Sequence, residues 1–484
     1  MDGVVDFLLT VTRRCLTDWR MTIIRIFTLC AISAMLLWNY GLTGAGEQRE
    51  VSSNPSFSFR VVRTGLESPW EISWAPDNHL WVTERVGKRI IRINPEDGRR
   101  VVVVEIPEAY QSVQQDGVLG MAFHPELLDG TGHDYVYVGW IYDSDGGEAV
   151  DVRGKIQRFT YNQASQTLEE PTDLITHLPA HDDHIGGRLV VGLDRKLYFS
   201  IGDQGGNWQR NRCNPILSQV LPSADEVGAG DWVNYQGKIL RLNLDGSIPD
   251  DNPIIDGVRS HVFSYGHRNP QGLVFDSEGR LFAAEHGPST DDEVNRIEAG
   301  GNYGWPRVAG DLDDQGYSYV NWSASSPTPC GELPNTREAP ASVPIQMESD
   351  WNHPAFKRPL LTFFTVGSDY DFTASGAATV AASGLGIYAY TNGVPGWADS
   401  LLLASLKQGI IYRMSLNEAH DRVTGEPEQM FKSTNRYRDI AIRPDGKAFY
   451  IVTDNTGRSQ NDMGESTDDL ENPGAVLEFT YVKE

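Results

Sequence analysis

A strand–turn–strand unit recurs along the chain and limits the architectures open to it. Each unit has an apolar run, a turn that mostly carries a Pro-Asp-Gly-like sequence, and a second apolar run. The units read EISWAPDNHLWVTER from Glu71, GMAFHPELLDGTGHDYVYVGW from Gly120, RLVVGLDRKLYFSIGD from Arg188, GLVFDSEGRLFAAEHG from Gly272, a weaker GLGIYAYTNGVPGWADSLLLASL from Gly384, and DIAIRPDGKAFYIVTD from Asp439. The Asp-Gly and Asp-Asn pairs supply the positive φ angles that tight hairpins need.

Six such units at irregular spacing predict an all-β fold made by radial repetition, a β-propeller with loop insertions. A β-sandwich is the competing architecture, but it would not repeat one strand–turn–strand signature six times. Apolar residues also alternate near both ends of this region, at Phe57, Phe59, Val61, Val476, Phe479 and Tyr481. Since the two ends of a propeller commonly complete one blade together, we expect residues 47–484 to form a single domain.

The first 46 residues differ from the rest. From Met21 the chain has one Arg, an uncharged and mostly apolar run from Ile26 to Trp38, and then small residues. This order is typical of a secretory signal peptide that begins at Met21 and is cleaved near Ala45 or Gly46. We therefore expect an exported protein, periplasmic or secreted. A retained membrane anchor is the alternative, because the uncharged run reaches Gly46.

Charge and cysteine content narrow the function classes. The chain has 66 acidic and 41 basic residues and a net charge of −25, which argues against binding nucleic acid. Cys15 and Cys30 fall in the leader, whereas Cys213 and Cys330 could pair in an oxidising compartment. The sequence leaves that pairing open.

A histidine-containing loop, HDDHIGGRL, runs from His181 to Leu189. Its two glycines permit close approach of the backbone, as in a loop that faces a ligand. The next strand ends at Asp203, so His184 and Asp203 could form a general base and the group that orients it. A structural or solvated loop histidine is the alternative, and the His-x-x-His spacing lacks a third metal ligand.

Two further motifs carry positive charge. YGHRNPQGL places Arg268 and Asn269 on a turn fixed by proline, which a surface salt bridge would also explain. Lys407 in SLKQG, with Arg436 and Arg438 in STNRYRD, concentrates cations on an acidic protein. That concentration indicates an anion site, because Arg binds carboxylates through two hydrogen bonds. Paired surface charges are the alternative.

An acidic, glycine-rich segment extends from Glu285 to Asp314. Its carboxylates and free backbone carbonyls are the oxygen ligands that calcium prefers, although EF-hand spacing is absent. A solvated acidic loop is the alternative. Residues alone therefore indicate a propeller that binds a small polyanion, with or without calcium.

These motifs, in this order, resemble those of the soluble glucose dehydrogenases that depend on pyrroloquinoline quinone (PQQ). The similarity runs from about Gly65 to the C-terminus and includes the strings DNHLWVTER, GKILRLNLDGSIPDDNP, GHRNPQGL, GGNYGWP, FKSTNRYRD and ENPGAV. The resemblance implies six blades of four antiparallel strands with PQQ over the axis. It also implies oxidation of an aldose at C1 to its lactone, with electrons passed to an external acceptor.

The resemblance implies roles for individual residues. His184 would be the general base, Asp203 its orienting partner, and Arg268 the cation at the quinone oxygen. Substrate contacts would come from Gln115, Asp183 and Arg268, and PQQ contacts from Asn269, Lys407, Arg436, Arg438 and, more loosely, Thr453. Carbonyls of Gly287 and Pro288 would hold the calcium bound to PQQ. Further calcium ions near a homodimer interface would be held by Glu293, Tyr303, Ala309, Asp313 and Glu348.

One segment departs from the family. Ser368 to Gly384, SDYDFTASGAATVAASG, lacks the cysteine pair, the Tyr and the Trp that the glucose enzyme has beside the cofactor and sugar. Another aldose or a disaccharide is therefore an alternative to glucose. Two other readings are a calcium-dependent lactonase and a non-catalytic partner-binding propeller. A lactonase would not need three basic residues at its site. A non-catalytic propeller would be expected to lose the base or the anion site.

Overall fold

Six four-stranded antiparallel sheets form a six-bladed β-propeller, which confirms the predicted fold. The computed structural model describes residues 55–147, 150–334, 336, 338–372 and 377–483. The predicted leader and its cleavage site lie outside the described residues. In the part of the chain that is described, no helix is long and apolar enough to span a membrane.

The first three blades follow one another along the chain, after an opening strand, β1 (Ser56–Arg63). Blade 1 contains β2 (Pro69–Trp74), β3 (Leu80–Glu84), β4 (Arg89–Ile93) and β5 (Arg100–Glu105). Blade 2 contains β6 (Val118–Phe123), β7 (Tyr135–Asp143), β8 (Val152–Asn162) and β9 (Thr167–Pro179). Blade 3 contains β10 (Gly186–Val191), β11 (Lys196–Ile201), β12 (Lys238–Asn243) and, after the hairpin β13 (Ile254–Ile255) and β14 (Val258–Arg259), β15 (Val262–Tyr265).

The last three blades complete the ring. Blade 4 contains β16 (Pro270–Phe275), β17 (Leu281–Glu285), β18 (Asp292–Ile297) and, after the inserted pair β19 (Tyr319–Val320) and β20 (Ile345–Gln346), β21 (Leu361–Phe363). Blade 5 contains β22 (Ala382–Tyr388), β23 (Ser400–Ser405), β24 (Ile411–Ser415) and β25 (Glu428–Met430). Blade 6 contains β26 (Tyr437–Ile442), β27 (Ala448–Thr453) and, after the pair β28 (Ser459–Gln460) and β29 (Ser466–Thr467), β30 (Val476–Val482).

Helical segments are confined to the loops between strands. A short helix, α1 (Ala224–Ala229), lies between β11 and β12 and begins with a capping box formed by Ser223 and Glu226. The described 3₁₀ helices are Gln209–Asn211, Val233–Tyr235, Trp322–Ala324, Cys330–Glu332 and Glu348–Asp350.

Strand β1 is the fourth strand of blade 6, where it pairs antiparallel with β30. Phe57 lies opposite Tyr481 and Phe59 opposite Phe479, so the two ends of the domain complete one blade as predicted. The innermost strand of each blade contacts the innermost strands of both neighbouring blades, which closes the ring.

Each pair of neighbouring blades shares its own apolar core. Successive residues of a strand point to opposite faces of its sheet, and both faces are covered. In β3, Trp81 packs towards blade 2, while Val82 packs towards blade 6. This double burial explains why the inner strands read as nearly continuous apolar runs.

The six predicted units coincide with the first and second strands of the six blades, and their equivalent residues meet at the axis. The first residue of each unit is Glu71, Gly120, Arg188, Gly272, Gly384 or Asp439. Arg188 Nη1 lies 2.8 Å from Asp439 Oδ2 and 3.2 Å from Glu71 Oε2, and its Nε donates to the Gln271 carbonyl at 2.9 Å.

The glycines at this position allow a charged side chain or a neighbouring strand to approach closely. A Cβ at Gly384 would lie 2.0 Å from Asp439 Oδ1, and one at Gly272 would lie 2.6 Å from the Ser383 carbonyl oxygen. We call Glu71, Arg188 and Asp439 the axial ion cluster. It links blades 1, 3 and 6 through the centre of the ring.

Candidate active site

The predicted base and cofactor residues lie where a first strand begins or a second strand ends. His184 precedes β10, Arg268 precedes β16 and Arg436 precedes β26, whereas Asp203 follows β11 and Lys407 follows β23. Because the first and second strands of a blade are antiparallel, these positions share one end of the ring. The loops at that end form the candidate site.

His184 and Asp203 form a buried, oriented pair. His184 Nδ1 lies 2.6 Å from Asp203 Oδ1, which also accepts the Gly205 N–H at 2.9 Å. The indole N–H of Trp305 donates to Asp203 Oδ2 at 2.7 Å. A carboxylate in this place accepts the Nδ1 proton, which leaves His184 Nε2 with a lone pair that can take a proton from a ligand.

A cavity of about 190 Å³ opens beside this pair, lined by His184, Arg268 and Pro288. Its remaining wall is mostly aromatic and apolar, with Trp208, Ile216, Trp305, Tyr317, Val320 and Trp322, together with Gly206, Asn207 and Ser318. The guanidinium carbon of Arg268 lies 5.3 Å from the centre of the Trp305 ring, a cation–π distance that fixes the charge over the cavity.

A disulfide between Cys213 and Cys330 joins the two loops that supply the aromatic wall. The first loop connects β11 to β12, and the second is inserted into blade 4. Asn207 reinforces the link, because its Nδ2 donates to the Val320 carbonyl at 2.6 Å and its Oδ1 accepts the Trp322 N–H at 2.8 Å. The pairing that the sequence left open is thus present in the structure.

Hydrogen bonds connect the predicted substrate residues to the basic set. Asp183 Oδ1 accepts from Gln115 Nε2 at 2.8 Å, and Gln271 Nε2 donates to Gln115 Oε1 at 3.3 Å. Arg438 Nη1 then donates to Gln271 Oε1 at 2.8 Å, and Arg438 Nη2 donates to Asp454 Oδ2 at 2.6 Å. Arg438 therefore lies beside the histidine loop and does not face solvent on a separate flank.

Lys407 and Arg436 lie next to each other. Lys407 Nζ donates to the Ala377 carbonyl, and Arg436 Nη1 donates to the Leu406 carbonyl at 3.4 Å. Burial lowers the pKa of both groups.

Asn269, the other predicted PQQ contact, is bound to the histidine loop: its Oδ1 accepts the Gly186 N–H at 3.1 Å.

The hydroxyl of Thr453 is engaged within blade 6. It donates to the Asn472 carbonyl at 2.5 Å and accepts the Ala475 N–H at 2.9 Å. The hydrogen bonds of Thr453 thus hold the segment that leads into β30.

Sequence reasoning missed His286, which immediately follows β17. Burial holds its pKa well below the ordinary value, and Arg268, His184, Arg438 and Arg436 lower it further. These electrostatic interactions place His286 among the predicted residues. Its position at the end of the fourth unit, FAAEHG, is the signal that could have identified it.

The acidic segment brings several predicted metal ligands together. Glu348 Oε1 accepts the Ala309 N–H at 2.9 Å, and Glu293 Oε1 accepts the Gly310 N–H at 2.7 Å. Burial, with smaller contributions from Asp313 and Asp291, raises the pKa of Glu348 to about 8. Burial likewise raises the pKa of Asp291 to about 6.

Two observations indicate that this cluster suits a cation. Asp291 Oδ2 is buried and has no hydrogen-bond partner among the described residues. Burial and Glu285 also raise the pKa of Glu293 well above its ordinary value. Carboxyl groups that are costly to ionise where they lie become favourable when a divalent ion joins them.

Three other predicted metal residues, Gly287, Pro288 and Tyr303, have surroundings that differ from those of the carboxylate cluster. The Gly287 N–H donates to Asp292 Oδ1 at 2.9 Å, and Pro288 lines the cavity beside His184. The hydroxyl of Tyr303 donates to the Arg296 carbonyl at 2.7 Å, which leaves the backbone carbonyl of Tyr303 as the group that could bind an ion.

The segment that departs from the family is held against blade 4. Asp292 Oδ2 accepts the N–H groups of Val380 and Ala381 at 2.7 and 2.9 Å. Residues 373–376 of this segment lie outside the described residues. The aromatic wall of the cavity comes from the loops joined by the disulfide.

Comparison with known proteins agrees with this geometry. The model of the family described as "Glucose / Sorbosone dehydrogenase" matches residues 66–328 and 368–460. The chain is 41% identical over 445 residues to quinoprotein glucose dehydrogenase B of Acinetobacter calcoaceticus, covering 89% of this chain and 92% of that protein. It is 26% identical over 405 residues to the aldose sugar dehydrogenase YliI of Escherichia coli strain K12, covering 82% and 90%.

The fold is also similar to that of a solved sugar dehydrogenase structure. The PQQ-bound aldose sugar dehydrogenase of Streptomyces coelicolor is similar with a TM-score of 0.60 and 26% identity, covering 88% of this chain and 99% of that one.

Proposed function

Because the chain belongs to the glucose/sorbosone dehydrogenase family, we propose that it oxidises an aldose at C1 to the lactone, using PQQ and calcium, and passes the electrons to an external acceptor. The observation that carries this proposal is the combination of an oriented histidine and a basic set at one end of the ring, in which Arg438 is buried and Lys407 and Arg436 are half-buried. A lactonase or a non-catalytic propeller would need only part of this arrangement.

The residues present fit a cofactor with three carboxylates. Arg268, Arg436 and Arg438 each have a buried Nε without a hydrogen-bond partner among the described residues, and so does His286 at Nε2. Unpartnered buried donors are costly, and an anion that accepts from them removes that cost. When bound, PQQ supplies the quinone that accepts a hydride from C1, and calcium makes it a better acceptor.

Our assignment gives each side chain a distinct task. His184 Nε2 takes the proton from the anomeric hydroxyl, so that the departing hydride leaves a neutral carbonyl. Asp203 fixes the tautomer of His184, and Trp305 fixes Asp203. Arg268 places a positive charge beside the cavity, where negative charge develops during the reaction.

The sugar occupies the aromatic cavity in this proposal. Indole and phenol faces of Trp208, Trp322 and Tyr317 offer apolar surface, while Gln115 and Asp183 offer polar partners for hydroxyl groups. Because the wall differs from the one that the family resemblance implies, we propose an aldose without restriction to glucose.

We also propose calcium at two places. The Gly287 and Pro288 carbonyls would hold the ion beside PQQ, and Glu293, Asp313 and Glu348, with Tyr303 and Ala309, would hold ions near a homodimer interface. The raised pKa values of Glu293 and Glu348 and the unpartnered Asp291 oxygen support the second place.

Export of the protein is part of the proposal. The disulfide between Cys213 and Cys330 supports it, because such bonds persist in oxidising compartments. Cleavage of the leader is the expected route, and N-terminal sequencing of the exported protein tests it.

The decisive experiment is reconstitution. Apo-protein purified without PQQ is given PQQ and CaCl₂, and reduction of an artificial dye is followed with a panel of aldoses and disaccharides. We expect sugar-dependent dye reduction, with the lactone or its acid detected by mass spectrometry. The matched control is His184→Ala, which should retain PQQ and lose most turnover. No dye reduction with any sugar would refute the proposal.

A further inference from the structure

Arg85 occupies in blade 1 the position that site residues occupy in other blades. It immediately follows β3, as His286 follows β17 and Asp454 follows β27. Asp203 and Lys407 lie one residue further along in blades 3 and 5. The repeat therefore brings Arg85 to the same end of the ring as the candidate site.

The backbone of Arg85 is held firmly on both sides. Its N–H donates to the Ser68 carbonyl at 3.0 Å, and its carbonyl accepts the Val118 N–H at 3.5 Å. Gly117, with a φ of +133°, leaves space for the side chain, because a Cβ there would lie 2.9 Å from Arg85 Cγ. The structure thus buries Arg85 to 7% exposure in a defined place.

The guanidinium group, by contrast, has no hydrogen-bond or ion-pair partner among the residues that the structure describes. Its Nη1 is buried without a hydrogen bond, and no ion pair joins Arg85 to any residue that the structure describes. An arginine with a structural role would be expected to donate to carbonyls or carboxylates, as Arg188 does at the axis. The donors of Arg85 are available to a ligand.

Charge in this region is unbalanced. Arg85, Arg436 and Arg438 lie near one another around Asp454, and Asp116 is the other carboxylate that acts on Arg85. Burial, with a smaller contribution from Arg438 and against the opposing effect of Asp454, lowers the pKa of Arg85 to about 10. Three guanidinium groups face two carboxylates, and a buried surplus of positive charge favours binding of an anion.

We propose that Arg85 is a further cofactor-binding residue, which contributes a guanidinium group from blade 1 to the site that holds the carboxylates of PQQ. This inference rests on the proposed function. It extends the basic set from blades 4, 5 and 6 to blade 1, so that positive charge approaches the ligand from both sides of the junction between blades 6 and 1.

The test compares three variants of the full chain. Arg85→Met removes the charge but keeps an unbranched side chain, and Arg85→Lys keeps the charge without the planar group. Arg99→Met makes the same chemical change at an exposed position on the same blade. Binding of PQQ to each apo-protein with CaCl₂ is measured by quenching of tryptophan fluorescence.

We expect Arg85→Met to weaken PQQ binding roughly 10- to 100-fold, the range for charge-assisted hydrogen bonds. Arg85→Lys should fall between that variant and the wild type, and Arg99→Met should bind like the wild type. The trimethyl ester of PQQ, which lacks the negative charges, should lose less than about threefold in Arg85→Met, because Arg acts on the carboxylates.

Thermal unfolding separates a ligand-binding role from a structural one. The apo form of Arg85→Met should melt no lower than wild-type apo-protein, whereas its PQQ-bound form should melt lower than the wild-type complex. Equal PQQ affinity in Arg85→Met and wild type, or equal loss of stability in both forms, would overturn the assignment of Arg85. Failure of the wild type itself to bind PQQ would instead overturn the proposed function.

Discussion

His184 Nδ1 and Asp203 Oδ1 lie 2.6 Å apart, and both residues are almost completely buried. They come from loops that precede and follow the first hairpin of blade 3, so the hairpin itself sets their separation. Trp305 and Gly205 donate to the same carboxylate and prevent it from rotating.

The first prediction concerns this pair. Asp203→Asn should lower kcat by about 10²- to 10⁴-fold, because an amide can no longer hold the His184 tautomer that accepts a proton at Nε2. Affinity for PQQ should change less than threefold. Steady-state kinetics and fluorescence titration of the same preparation check both expectations. A near-normal kcat would remove Asp203 from the role given to it.

The second prediction concerns the disulfide. Replacing both Cys213 and Cys330 with Ser should raise KM for the sugar several-fold, because the loops that carry Trp208 and Trp322 lose their covalent link. PQQ binding should stay unchanged, since Lys407, Arg436 and Arg438 lie on blades 5 and 6. Limited proteolysis should cut these loops faster than in the wild type. Unaltered KM and cleavage would mean that the Asn207 hydrogen bonds hold the loops on their own.

The third prediction uses the axial ion cluster. Burial raises the pKa of Glu71 from 4.5 to about 7, despite the opposing effect of Arg188. A raised carboxyl pKa stabilises the folded state fully below pH 4.5, and this contribution is lost as the pH rises through about 7. The loss from Glu71 is at most about 3 kcal/mol.

Urea unfolding across this pH range measures the effect. Glu71→Gln should give a flatter dependence of the free energy of unfolding on pH than the wild type. Glu278→Gln is the matched control, because that side chain is 67% exposed. Parallel pH profiles for Glu71→Gln and wild type would show that another group causes the dependence.

The fourth prediction concerns calcium. After treatment with a chelator, CaCl₂ should raise the Tm of the wild type, and MgCl₂ should raise it less. Glu348→Gln should abolish most of the calcium effect while leaving the Tm of the metal-free protein nearly unchanged. The reason is that an amide replaces a carboxyl whose pKa of about 8 already favours the neutral form.

Light scattering on the same samples tests the homodimer that the family resemblance implies. We expect chelation to shift the population towards monomer. An identical calcium response in Glu348→Gln and wild type would place the ions elsewhere.

Much of the fold was predictable because each strand–turn–strand unit is a continuous stretch of sequence. The six units found from their turns are the inner hairpins of the six blades, and the alternation at Phe57 and Phe59 correctly predicted the shared blade. The inner strands were harder to define by alternation, since both faces of each sheet are covered.

The site was predictable only in part. Strand ends predicted that His184 and Asp203 could pair, and the family resemblance added Arg268. The structure brings the three together because every blade presents the same ends to the same side. The aromatic wall with Trp208 and Trp322 was not predictable, because it depends on two inserted loops and a disulfide between residues 117 positions apart. Arg85 looked like any charged residue after a strand until the positions of neighbouring blades were compared.

Because β1 pairs with β30, the first strand to be synthesised joins its blade only after the last strand has been made. Five sheets can form while the chain emerges, but the sixth needs a segment from each extreme of the domain. A polypeptide interrupted before Val476 would leave β1 and β27 with unsatisfied hydrogen-bonding edges, which promote association with other chains. The last strand to be synthesised, β30, therefore closes the ring of blades.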